Sequence, residues 1–134
     1  MCLGHFDEAI REIRRALELD PLSLAINRDV GEVLYRAREY DKAADALQRA
    51  IEMDPNFPWS HNYLGRVYLE KSMYEAAIKE IQKEKEVLGR LFEPILDVFI
   101  GIAYSRMDRK EEAREILERL ESIRVLNYLS LIHI

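Results

Sequence analysis

The sequence predicts an all-α superhelix, an α-α solenoid built from antiparallel helix pairs. Three observations predict it. A helix ending closed by Asp-Pro occurs twice, as LELDP at 17–21 and IEMDP at 51–55, an interval of 34 residues. Apolar positions recur at that same interval. Gly and Pro are scarce, 5 and 4 in 134 residues, so turns are few and elements long.

The periodicity predicts helices near 6–19, 24–37, 40–53, 58–71, 74–88, 94–107 and 110–122, with a frayed piece to 133. Phe6, Ala9, Ile10, Ile13, Ala16 and Leu17 fall on one face of the first helix. Pro21 ends that element, and Ser23 is placed to cap the second. The third helix repeats the pattern as Tyr40, Ala43, Ala44, Leu47, Ala50 and Ile51. Pro55 closes it and disfavours helical geometry at Asp54. Asn56 is the expected cap of the fourth helix, with Pro58 in its first turn. The fifth helix follows with Tyr74, Ala77, Ile78 and Ile81, then departs at Glu84 and Lys85. A second series runs through the intervening helices: Val30-Gly31, Leu64-Gly65 and, 36 residues later, Ile100-Gly101. Each Gly marks a place where another helix approaches closely, and the Ala residues of the next helix serve the same contact. The longer spacing puts two extra residues in the connection KEKEVLGRLFEP. There Gly89 is expected as an αL cap and Pro94 in the first turn of the sixth helix.

These residues resemble the tetratricopeptide repeat, whose units of about 34 residues carry Leu-Gly-x-x-Tyr on helix A, Ala on helix B and a closing Pro. The fullest match is LGRVYLEKSMYEAAIKEI, Leu64 to Ile81. The unit from Leu24 to Pro55 keeps Gly31, Ala43, Ala50 and Pro55 but has Leu34 at the Tyr position. The third has Gly101, Tyr104 and Ala113, with Leu120 at the second Ala site and no closing Pro. The resemblance divides the chain into a half repeat at 1–21, repeats at 22–55, 56–91 and 92–124, and a partial helix at 125–134. It implies an array cut at both ends, drawn from a longer repeat protein. The closing LSLIHI resembles translated adapter read-through and carries no weight here.

The resemblance also implies a concave wall lined by the A helices. Its groove positions fall on Ala25, Arg28, Glu32, Tyr35 and Arg36, then Trp59, Asn62, Arg66, Leu69 and Glu70, then Ile95, Val98, Ile102, Ser105 and Arg106. Arg28, Tyr35, Arg36, Trp59, Asn62, Arg66, Ile95, Val98 and Arg106 are the candidate partner-binding residues. Arg can grip a carboxylate in two places, Asn can hold a backbone amide, and Trp can bury an apolar side chain. A competing reading pairs these arginines with Glu32 and Glu70 and makes the wall merely soluble. One subtype of the family binds C-terminal carboxylates of chaperones through a Lys/Asn clamp. This chain departs from it at Glu32, Ile95 and Phe99.

No catalytic constellation is found, so an enzyme is not expected. His5, His61 and His133 are far apart, and His61 falls where the repeat usually has Trp, which implies packing rather than a metal. There is no phosphate-cradling Gly loop and no nucleophile or zinc motif, so neither cofactor nor metal is expected. Cys2 is the lone cysteine, which excludes an intrachain disulfide. A net charge of −5 argues against nucleic acid and anionic membranes as partners. With no signal-peptide pattern and no membrane-length apolar run, a cytoplasmic location is expected. Runs such as EIQKEKE and DRKEEAREILERLE read as solvated helix faces. The function expected is a non-catalytic protein-interaction module that binds a peptide or partner segment in its groove. The alternative is a sensing or assembly segment of a multidomain bacterial regulator or enzyme. Self-association through exposed array ends is a further expectation, resting on the strip around Phe6, Ile10, Ile13 and Leu17. A clean monomer in size-exclusion chromatography at high concentration counts against it.

Overall fold

The computed structural model describes residues 3–132, with side chains over 5–124. Cys2, His133 and the side chains of LSLIHI lie outside the described residues. Seven α-helices follow one another: α1 Leu3–Leu19, α2 Leu24–Arg36, α3 Tyr40–Met53, α4 Ser60–Glu70, α5 Tyr74–Leu88, α6 Glu93–Arg106 and α7 Lys110–Ile132. A 3-10 turn, Arg90–Phe92, precedes α6. Each helix packs on its successor. Beyond these neighbours, α2 packs on α4 and α4 on α6, whereas α3 and α5 do not meet among the described residues. The A helices α2, α4 and α6 therefore form a continuous inner wall, and the B helices splay outside it. That is the curvature of an α-α superhelix.

Apolar side chains at the repeat interval make the core. One buried cluster joins Ile10, Val30, Leu34, Ala43, Ala46, Leu47, Leu64 and Val67. A second joins Leu69, Ala77, Ile78, Ile81, Leu96, Ile100, Ala103 and Ile116. Helix α4 supplies residues to both. Within a pair, packing is close enough to exclude a side chain at the Gly positions. A Cβ on Gly31 would stand 2.3 Å from Leu47 Cγ, and one on Gly65 would stand 2.6 Å from Ile81 Cγ1.

The turns between paired helices share one design. Arg38, Ser72 and Asp108 have positive φ, at 63°, 60° and 60°. At each, the N–H of the left-handed residue donates three residues back, to Tyr35, Leu69 or Ser105. The next N–H donates five back, to Leu34, Tyr68 or Tyr104. This is a Schellman closure of the A helix, made here without Gly.

Several local expectations are corrected. Ser23 does cap α2, accepting from the Ile26 N–H at 3.3 Å. Asn56 does not cap α4: its N–H donates to Asp54 Oδ1 at 2.9 Å in an Asx turn, and the helix starts at Ser60 after left-handed Trp59. Gly89 has positive φ, but its ψ of −168° places it in the Gly-only extended region rather than αL. Pro94 does lie in the first turn of α6, and the 3-10 turn occupies the longer connection. Helix α7 runs unbroken to Ile132 instead of fraying near 122.

Candidate functional site

The register break at Glu84 has a structural cause. Glu84 occupies the position of Ala50 one repeat earlier and is fully buried. Helix α4 has no capping side chain of its own. Glu84 reaches across from α5, and its Oε1 accepts the Asn62 N–H at 2.8 Å. The backbone N–H groups of Trp59 and His61 face the same carboxylate. Helix α4 is thus capped in trans, at the end where the macrodipole favours an anion. Burial nevertheless outweighs these bonds and pushes the Glu84 carboxyl up.

His61 stands beside it, 5% exposed. Its Nδ1 lies 2.7 Å from Glu80 Oε2 and its Nε2 lies 2.8 Å from the Pro55 carbonyl. Two acceptors demand two donors, so the imidazolium fits and either neutral tautomer leaves one contact unmet. The hydrogen bond to Glu80 is the main reason the His61 pKa is raised. Lys85 pairs with Asp97 at 2.8 Å and with Glu93 at 3.2 Å, joining α5 to α6. EIQKEKE is therefore not a solvated face throughout, since Glu84 and the Glu80 and Lys85 pairs belong to helix interfaces.

A series invisible to apolar periodicity now comes into view. Asn27, His61 and Asp97 fall at one repeat position and are 7%, 5% and 4% exposed. Asn27 Nδ2 donates to the Pro21 carbonyl at 3.0 Å, as His61 meets that of Pro55. Asn27 and His61 thus tie their A helices to the proline that ends the preceding repeat, whereas Asp97 meets Lys85 of α5. Among the described residues, no group of three or more His, Cys, Asp or Glu could hold a metal ion. No helix of the described residues is long and apolar enough to cross a membrane.

The inner wall carries a hollow of about 470 Å³ centred on α4. It is lined by Arg28 and Glu32 of α2, Trp59, Asn62, Tyr63 and Arg66 at α4, and Ile95 and Phe99 of α6. Five of the nine candidate residues, Arg28, Trp59, Asn62, Arg66 and Ile95, thus come together. Tyr35 and Arg36 line a neighbouring hollow of about 300 Å³ with Phe6, Arg38 and Tyr40, and Arg66 reaches both. Val98 and Arg106 line neither; Val98 is exposed, and Arg106 Nη1 donates to the Leu69 carbonyl at 3.5 Å. Leu69 is buried in the core rather than facing the groove.

The arginines differ in their partners. Arg36 pairs with Glu32 at 3.0 Å, and Arg28 pairs with Asp29 at 2.9 Å and lies over the Phe57 ring. Arg66 has no carboxylate partner among the described residues. Its guanidinium lies 4.9 Å from the Tyr35 ring, 5.5 Å from Tyr63 and 4.9 Å from Phe99. Aromatic rings from three A helices therefore surround one cation, which positions it without neutralising it. Arg66 Nε and Asn62 Oδ1 are buried and make no hydrogen bond among the described residues. Tyr63 was missed in the sequence because it lies one position beyond the groove register. Its separation of three residues from Arg66 on one helix is the signal that could have found it.

Three family models described as tetratricopeptide repeat match the chain, over residues 3–58, 46–79 and 100–122. Among solved structures, one described as the crystal structure of MamA matches with a TM-score of 0.77 at 22% identity, covering 90% of this chain and 69% of that one. A second, of MamA protein, matches with 0.76 at 25% identity, covering 90% and 64%. A third, described as MamA AMB-1, matches with 0.78 at 21% identity, covering 90% and 70%. At these identities the likeness is one of fold, and this chain spans 64% to 70% of the length of those chains. No curated protein matches the chain by sequence.

Proposed function

The chain belongs to the tetratricopeptide-repeat family, and from that premise we propose that its inner wall binds an extended segment of a partner protein. Repeats of this family form interaction and scaffold modules, and the superhelix here has that architecture. The observation that carries the groove reading is convergence. Arg28, Trp59, Asn62, Arg66 and Ile95, drawn from α4 and the A helices on either side of it, line one open hollow. Polar groups that fix orientation stand next to apolar walls there, which is the usual make-up of a recognition site. The module is non-catalytic on this reading: the buried ionisable groups His61 and Glu84, with the half-buried Glu80, are spent on helix capping and helix pairing.

An array of short synthetic peptides, probed with the chain and with an Arg28→Ala/Arg66→Ala double variant, tests the proposal. Loss of the captured set in the variant is the expected result. An unchanged set places recognition elsewhere.

A further inference from the structure

The wall has two unmet demands, and together they describe an occupant. Arg66 offers a guanidinium edge with no carboxylate among the described residues, held against Tyr35, Tyr63 and Phe99. Asn62 offers an acceptor, Oδ1, that is buried and unbonded in a residue 3% exposed. Buried polar atoms without partners are costly in a finished structure, so a group brought by a ligand that satisfies them gains accordingly. Around them stand Trp59, Ile95 and Phe99, and Ile95 is 51% exposed.

We infer that this hollow takes an internal aspartate or glutamate side chain of an extended partner segment, followed by an apolar side chain seated against Trp59, Ile95 and Phe99. The inference rests on the groove reading above and narrows it. Arg66 receives the carboxylate through its planar edge. Asn62, which lines the same hollow, offers its side-chain amide to the backbone of that segment. In an extended chain, side chains two residues apart point to the same face, so the acid and the apolar residue enter together. One unpaired guanidinium matches one carboxylate. Glu32 stands on the same wall and disfavours a second negative charge. The acid is internal because α4 is the middle A helix: a segment crossing it continues over α2 on one side and α6 on the other.

The test uses the whole chain and short peptide pools, acetylated and amidated at their ends. One position is fixed as Glu, Gln or Lys, and the position two residues on as Leu. Binding is read by Trp59 fluorescence. The Glu pool is expected to bind about tenfold more tightly than the Gln pool, the worth of one charge-assisted hydrogen-bonded contact. The preference should weaken with added salt. Replacing the fixed Leu by Ser should weaken the Glu pool. Arg66→Gln should abolish the Glu-over-Gln difference, and Arg66→Lys should restore part of it. Equal binding of Glu and Gln pools by the native chain overturns the inference and leaves the groove reading standing. A Gln pool with a free C-terminal carboxylate that binds as well as the Glu pool also overturns it, in favour of a chain terminus. Failure of every pool counts against both readings. The comparison on the native chain decides the matter even where a variant fails to fold.

Discussion

A Cβ on Gly65 would stand 2.6 Å from Ile81 Cγ1 and 3.2 Å from the Ala77 carbonyl oxygen. The second contact is backbone and cannot rotate away. Gly65→Leu is therefore expected to cost about 3 kcal/mol or more, read as a fall in urea midpoint. Arg38, Ser72 and Asp108 carry the opposite strain, since each holds a left-handed φ with a Cβ present. Replacing any one by Gly relieves that strain but loosens the unfolded chain. A net gain of about 0.5–1 kcal/mol is expected for Ser72→Gly. A loss on denaturant titration would show that the Ser72 side chain does more than turn the chain. These positions recur at 34 and 36 residues, yet no Gly marks them, so composition alone hid them.

At the scale of elements, α4 depends on α5 for its N-terminal cap. Glu84→Ala removes the acceptor of the Asn62 N–H and is expected to cost about 1–3 kcal/mol, whereas Glu84→Gln keeps an acceptor and should be milder. Thermal melts of the two variants check the order, and equal losses would discount the cap. The His61–Glu80 contact makes this region pH-dependent. His61 has its pKa raised, chiefly by the Glu80 hydrogen bond. Its contribution is complete below the ordinary value of 6.5 and is lost as pH rises through the folded value. Glu80 has its pKa lowered by His61 and Lys83 despite burial, so its contribution is present above 4.5 and is lost as pH falls. Glu84, raised by burial, becomes costlier as pH climbs above 4.5. Stability should therefore peak between these bounds and decline as pH rises through the folded value of His61. His61→Gln should flatten the alkaline side, and parallel pH profiles for the two proteins would refute the assignment.

The whole molecule behaves as a short array in which neighbours supply one another's core. Leu64 and Val67 of α4 belong to one buried cluster, Leu69 of the same helix to the other, and Tyr68 packs on both. Loss of either cluster strips one side of α4. Circular dichroism and Trp59 fluorescence are expected to report coincident unfolding transitions. A separate, earlier Trp59 transition would show that the second cluster melts alone. The inner wall follows from the same arrangement. The A helices meet each other through Tyr35, Tyr63, Arg66 and Phe99, so a single guanidinium links three repeats. Its removal should weaken the array as well as the recognition proposed for it.

Local chemistry repeated at a fixed interval was enough to determine the helix pairs. Apolar periodicity, Gly31 and Gly65 at close contacts, and Pro21 and Pro55 at helix ends act within one unit or on its immediate neighbour, and all are visible along the chain. The groove register implied by the resemblance pointed to Arg28, Trp59, Asn62, Arg66 and Ile95, which line one hollow. What required tertiary structure was the pairing of charges. From the sequence, Arg28, Arg36 and Arg66 were equivalent cations, and Glu84 was an interruption of the apolar face. The Arg36–Glu32 pair is local, four residues apart on α2, but only the packed helices decided that Arg66 faces aromatic rings and that Glu84 meets the open end of α4. Repeat spacing specifies which face a residue occupies, but long charged side chains choose partners among several within reach. The low-dielectric contacts between repeats settle that choice.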